Sequence, residues 1–258
     1  MTRRWPLITT IAVLTVALTF VVVQLVRGED SGKETEQAAP KPAAPGPSSG
    51  AESLRGLGWW PLYQSGTAKA GEHDAVVGGG TQWTDGPGGG ALRLDGTSGY
   101  ADTGTRLETE GKDYSVAARV RLTSQDMTGF YTAVSQDGDR VSTFFLQYSG
   151  QDGNFAFSFT GARTVAETPE KPQPDRWYHL TGTYSQQDQR MRVYVDGRLA
   201  GERVASNRVK PTGSVLIGRA KFNGKPADYW NGDLADVHVY DRELTPREVG
   251  TLASGEPR

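Results

Sequence analysis

Short runs of alternating apolar and polar residues fill the chain from about Leu57 to Ala253. In YSVAARVRL, Tyr114, Val116, Ala118, Val120 and Leu122 share one side, and Ser115, Ala117, Arg119 and Arg121 share the other. A period of two is what a strand with one face in a core requires. NFAFSFT likewise puts Phe155, Phe157 and Phe159 on one face. FYTAVSQ, TFFLQYS, WYHLTGTY, SVLIG and LADVHVYD are further strand candidates, separated by turn-rich pieces such as DGD and SGQDGN. In RMRVYVDGRLAGE, Asp196-Gly197 predicts a two-residue turn with positive φ at both positions. The helix signal falls near the end, in LTPREVGTLASG: Thr245 as N-cap, Pro246 in the first turn, Glu248 to complete a capping box, Gly255 as stop. About ten or more short strands, one short helix and no βαβ alternation predict an all-β fold, a two-sheet antiparallel jelly-roll sandwich.

The pattern is different before Leu57. Trp5 to Val26 carries no charge, and at ~1.5 Å per residue such a run spans a ~30 Å hydrocarbon layer. Arg3 and Arg4 precede it, so residues 1–4 are expected in the cytoplasm and 5–26 as a single-pass transmembrane helix and anchor. A cleaved signal and secretion is the alternative, though VVVQLVRGED offers no clean cleavage site. Residues 27–55 are rich in Pro, Ala, Gly, Ser and charge and read as a disordered linker. The folded domain is then 56–254, displayed on the extracellular side of the cell membrane.

Composition narrows the function. Lys plus Arg number 28 against 30 Asp plus Glu, a net charge of −2, and no basic stripe occurs beyond the extreme N-terminus. A nucleic-acid partner is therefore not expected. The chain has no cysteine, which removes disulfides, thiolate metal sites and cysteine nucleophiles.

The ordered pieces WWPLYQSG, GGGALRLDGTSGYADTG, DYSVAARVRL, DRWYHLTGTYSQQDQRMRVYVDGRLAGE and WNGDLADVHVYDRELTPREV resemble the LamG-like (laminin G-like) jelly-roll domain of the concanavalin A-like lectin/glucanase superfamily, above all its exported actinobacterial members. The resemblance covers Trp59 to Leu252. It implies two antiparallel sheets, carbohydrate or protein binding in many relatives, and a structural calcium in some. One departure weakens the calcium: relatives often carry an acidic Asp-Glu pair where this chain has Tyr63-Gln64.

Gly232 to Leu244, GDLADVHVYDREL, concentrates candidate chemistry: Asp233, Asp236, Asp241 and His238. Strict alternation puts Ala235, Val237 and Val239 on one face, with Asp233 and Asp241 at the ends of that row, and Asp236, His238 and Tyr240 on the other. Asp233 and Asp241 then read as strand-end or turn residues. Asp236 and His238 are ~7 Å apart along the strand by rise, too far to assume mutual contact. The resemblance implies that Asp236 can give an oxygen to calcium, with carbonyls, waters and Asp95 of LDGTSGY as candidates to complete the ~6–8 oxygens that ion needs. The strands carry no E-x-D-x-x-E pair, no Ser-His-Asp order with a nucleophile elbow appears and GTSGY lacks the G-x-S-x-G spacing, and Glu108, Glu110, Glu167, Glu170 and Glu202 fall in loops or near turns, so a glycosidase is not expected.

A non-catalytic binding module is expected instead, for a wall or extracellular glycan or, alternatively, an extracellular protein. Aromatics beside amides and carboxylates suit sugar faces and edges. The candidates are Trp83 in TQWTDG, Gln136 and Asp137 in SQDGD, and Tyr229, Trp230 and Asn231 in DYWNG. Trp59, Trp177 and the phenylalanine row are expected in the core, and His179 is expected to pack within a sheet.

Overall fold

The computed structural model describes residue 54 and residues 56–124, 127–206 and 209–255. The anchor expected at 5–26 and nearly all of the linker lie outside the described residues; no described helix is long and apolar enough to cross a membrane.

Seventeen strands and one α-helix are described. In chain order they are β1 (Gly58–Trp60), β2 (Val76–Gly78), β3 (Thr81–Thr84), β4 (Ala91–Asp95), β5 (Tyr100–Asp102), β6 (Tyr114–Leu122), β7 (Phe130–Gly138), β8 (Phe145–Ser149) and β9 (Asn154–Phe159). Then follow β10 (Ala162–Val165), β11 (Trp177–Ser185), β12 (Arg190–Val195), β13 (Arg198–Val204), β14 (Pro211–Ile217), β15 (Ala220–Phe222), β16 (Lys225–Ala227), β17 (Asn231–Tyr240) and α1 (Pro246–Ser254). An eight-stranded sheet runs β13-β12-β11-β6-β17-β4-β3, with β1 added on β17. A seven-stranded sheet runs β10-β9-β8-β7-β14-β5-β2, and β15-β16 form a separate hairpin. All named strand pairs are antiparallel. This is the two-sheet sandwich expected from the alternation.

The inner faces meet in one apolar core. Val116, Ala118, Val120 and Leu122 from β6 join Phe155, Phe157 and Phe159 from β9, all buried. Tyr114, Phe144, Phe157, Phe159 and Tyr184 form an aromatic cluster with ring centroids 5.6–6.4 Å apart. Gly182 lies opposite this cluster, where an added Cβ would come within 2.4 Å of the Phe157 ring. The Asp196-Gly197 turn has φ of 49° and 79°, the type I′ sign at both positions. Helix α1 carries the full capping box of Thr245 and Glu248 and closes on Gly255 in the left-handed region. Its buried Val249 and Leu252 pack with Tyr194, Tyr240, Leu244 and Leu54. Leu54, assigned by composition to the linker, is thus part of the packed region.

Two expected core tryptophans lie elsewhere. β1 pairs Trp59 with His238 and Trp60 with Val237. Trp60 therefore takes the core side, fully buried, and half-buried Trp59 stacks on His238 across the outer face, 5.3 Å between centroids. Trp177 is also half-buried, with the Arg121 guanidinium 5.0 Å from its ring centre. Trp230 fills the core instead.

Candidate functional site

A groove of about 700 Å³ lies on the outer face of the seven-stranded sheet. Register builds its floor. Arg163 of β10 pairs Ser158 of β9, and Ser158 pairs Phe145 of β8. The phenylalanine row of β9 points to the core, so Ser158 points away from it, and Phe145 and Gln147 of β8 share its face by the same period of two. Phe130 closes one end, with the Arg163 guanidinium 4.4 Å over its ring centre. Phe222 and Asn223 come from the β15-β16 hairpin, and Arg140 and Val141 from the β7-β8 connection. The hairpin tip, Asn223-Gly224, has φ of 51° and 76°, a second type I′ turn. Arg203 of β13 reaches the rim from the other sheet and donates Nη1 to the Arg163 carbonyl at 3.3 Å.

The groove combines apolar walls with few polar groups. Phe222 is 56% exposed, whereas Phe145 and Gln147 lie deep. Gln147 donates Nε2 to Ser158 Oγ at 3.2 Å. Asp228 is the one carboxylate among the lining residues. Burial pushes its carboxyl up to about 6, against the pull of Arg163. Arg163 pairs with Asp152 at 3.0 Å, yet its Nε–H is buried with no acceptor in the described protein. Arg140 and Arg203 are exposed and make no ion pair among the described residues.

None of the six sequence-predicted ligand contacts lines this groove. Gln136 is fully buried and spends its amide on Leu107, accepting from its N–H at 3.3 Å and donating to its carbonyl at 2.9 Å. Asp137 is buried and paired with Arg219 at 3.3 Å and Lys221 at 3.2 Å. Trp230 is fully buried, so its ring offers no face to a ligand. Trp83 is half-buried on β3 and packs against the core margin. Half-buried Asn231 accepts from Thr123 Oγ1 at 3.0 Å. Tyr229 is half-buried and bridges Thr132 through its backbone, next in sequence to Asp228. The overlooked signal was Asn-Gly between AKF and KPA, a strong two-residue hairpin mark that erects Phe222 beside the sheet.

The carboxylates of β17 serve the fold. Asp236 has φ of 50°, its N–H donates to Pro61 O at 3.1 Å, and the β17-β6 register slips between Ala235 and His238. This is a β-bulge, and it resets the alternation. Leu234, Val237 and Val239 reach the inter-sheet core, whereas Ala235 is not part of it. The bulge also brings His238 Nε2 to 2.9 Å from Asp236 Oδ1, a contact strict spacing did not predict. The same oxygen accepts from Trp59 Nε1 at 2.7 Å, and Arg119 Nε lies 3.6 Å from Oδ2. Asp233 is no strand-end residue: it is fully buried, with Arg93 Nε at 2.8 Å and Arg121 Nε at 2.7 Å.

The calcium implied by resemblance fits these residues poorly. β17 pairs Asn231 with Asp95, five residues along the strand from Asp236, or ~17 Å. Asp95 and Asp236 therefore cannot share an ion. The Asp95 carboxylate is held by its own turn: despite some desolvation, N–H groups of Ser98, Thr97 and Gly99 keep it well below the ordinary range. Among the described residues no group of three acidic or histidine side chains is placed to hold a metal.

Known proteins share this architecture. A 99-residue stretch is 31% identical to human neuronal pentraxin-1, covering 35% of this chain and 22% of that protein. A 154-residue stretch is 25% identical to the rat Sushi, von Willebrand factor type A, EGF and pentraxin domain-containing protein 1, covering 56% of this chain and 4% of that protein. The chain thus spans less than a quarter of the length of these relatives. Among solved structures, domain 4 of AbnA, a GH43 extracellular arabinanase from Geobacillus stearothermophilus in complex with arabinotriose, superposes with a TM-score of 0.62 at 20% identity over 76% of this chain and 97% of that domain. Trypanosoma rangeli sialidase superposes at 0.55 and 18% identity over 76% of this chain and 32% of the sialidase. At these identities the likeness shows the fold. The family model described as the concanavalin A-like lectin/glucanases superfamily matches residues 95–250, more than half of the chain, and the chain belongs to that family.

Proposed function

We propose that this chain is a non-catalytic module that binds an oligosaccharide, held outside the cytoplasm by its N-terminal apolar segment. The groove carries the reading: Phe130, Phe145 and Phe222 stand beside Gln147, Ser158 and Asn223. Sugar rings lay C–H faces on aromatic rings while their edges hydrogen-bond, and a few placed polar groups in an apolar cleft suit them. The arabinotriose bound to the AbnA domain of the same fold supplies a first probe. Hydrolysis of a glycosidic bond ordinarily takes two carboxyl groups, ~5–5.5 Å or ~6.5–9.5 Å apart. Asp228 stands alone among the lining residues, which favours binding over cleavage. An adhesion reading draws instead on Leu199 and Val204, exposed on edge strand β13.

The full chain, purified in a sugar-free detergent, should bind members of a glycan array and release no product from them. Phe222→Ala should weaken that binding about 5- to 20-fold and move Tm by less than ~2 °C, because the ring is exposed. Binding to no glycan would remove the reading, and release of sugar would replace it with a hydrolase. Recovery of the domain in the medium, rather than with membranes, would replace the anchor with secretion.

A further inference from the structure

The groove holds more positive charge than the protein itself uses. Arg140, Arg163 and Arg203 line it, and Asp228 is the one carboxylate that does. Many other described arginines are matched by carboxylates: Arg93 and Arg121 share Asp233, Arg219 pairs with Asp137, and Arg242 with Glu248. Arg140 and Arg203 have no such carboxylate among the described residues, and the Arg163 Nε–H, buried at the groove wall, lacks an acceptor there. The guanidiniums also come from three separate places, the β7-β8 connection, β10 and the edge strand β13. Chain segments far apart in sequence are thus brought together around one apolar floor.

A guanidinium offers a planar fork of donors that matches a carboxylate or a sulfate with two parallel bonds. Arg163 stacks on Phe130 and is tied through Nη1 to Asp152 at 3.0 Å, which fixes its guanidinium at the groove wall beside the two without a carboxylate among the described residues. The hydroxyls of a neutral sugar can accept single bonds from a guanidinium but offer neither the charge nor the paired oxygens of a carboxylate or sulfate. Resting on the glycan reading of the groove, we propose that its ligand is an anionic oligosaccharide, whose carboxylate or sulfate groups are held by Arg140, Arg163 and Arg203 while its ring faces pack on Phe130 and Phe222. Asp228 opposes an anion only when ionised. Its half-buried site, which raises its carboxyl to about 6, lowers that opposition in mildly acidic surroundings.

The test is calorimetry on the full chain in a sugar-free detergent, with three probes of equal length: an oligogalacturonate, a heparin-derived sulfated oligosaccharide and a neutral galacto-oligosaccharide. At about 50 mM NaCl at least one anionic probe should bind about tenfold or more tighter than the neutral one, and the ratio should shrink at about 300 mM as charges are screened. The two anionic arms separate carboxylate from sulfate recognition. Arg140→Gln and Arg203→Gln should each cut the anionic affinity about 5- to 10-fold, leave neutral binding within about twofold, and keep Tm within about 2 °C of the parent, since both side chains are exposed. Neutral and anionic probes binding alike would overturn the charge selectivity and leave the glycan reading standing. Anionic binding untouched by both substitutions would place it elsewhere on the surface and overturn the site. No binding of any saccharide would overturn both.

Discussion

The centre of the eight-stranded sheet and the groove on the seven-stranded sheet treat charge differently. On the eight-stranded sheet each carboxylate in the strands is answered: Asp233 by Arg93 and Arg121, Asp236 by Trp59, His238 and Arg119. Arg119 also donates to the carbonyls of Leu252 and Ala253, tying the C-terminal end of α1 to the sheet. On the seven-stranded sheet the floor is apolar and weakly polar, and the arginines around it are only partly answered. A buried charge must be paired at folding, so dense pairing marks structure. Charge left open around a concave apolar surface is available to a ligand. Chemistry-rich sequence is therefore a poor guide here: GDLADVHVYDREL holds the fold, and the groove draws on pieces with no such concentration.

The comparison breaks most readily at Asp233. Asp233→Ala would leave Arg121 and Arg93 facing a void and should cost about 2–4 kcal/mol, a fall in Tm on the order of 5–12 °C. Glycan binding measured below the new Tm should be unchanged, because Asp233 lies on the other sheet. Equal loss of affinity would show that the two faces are coupled.

A smaller effect is expected at Asp228, and it depends on pH. Burial raises the folded-state value to about 6, above the unfolded value near 4. The folded state then holds this proton more tightly, so the contribution to stability is intact below about pH 4 and is lost as pH rises through 6. Asp228→Asn removes that loss, and Asn also tolerates the left-handed φ of 54° at this position. The variant should gain about 1–2 kcal/mol over the parent at pH 7.5, after discounting for solvent screening, and about nothing at pH 4. Denaturant titrations of both proteins at the two pH values check this; an equal gain at both would show that the carboxyl is not desolvated in the folded state.

The smallest expected change sharpens the structural side. With Asp236 engaged by protein donors and Asp95 by its own turn, EDTA should shift Tm by less than about 1 °C. A larger fall, restored by calcium, would show an ion bound through other oxygens.

Much of the architecture was legible from local pattern. Alternation located β6, β9 and β11, Asp196-Gly197 located a hairpin, and Thr245 to Gly255 located α1 with its caps, because these depend on neighbours within a few residues. Val237 and Val239 face the core and His238 the other side, as alternation expects, but the bulge at Asp236 takes Ala235 off the core face and puts Leu234 there, which no local pattern showed. Gln136 and Trp230 look like ligand contacts in sequence, since polarity and aromaticity do not reveal burial; Gln136 is buried to satisfy Leu107, and Trp230 to fill the core.

By itself, then, the sequence determined an antiparallel all-β chain, its turns and its terminal helix, because strand period, φ preference and capping act over short range. Only the tertiary structure decided which charges are consumed and which remain. Ion pairs such as Asp233 with Arg93 join residues 140 positions apart, and Arg140, Arg163, Arg203 and Phe222 meet only when two sheets and a hairpin close around one surface. No local pattern encodes that proximity, since it follows from strand order and register rather than from the residues on either side.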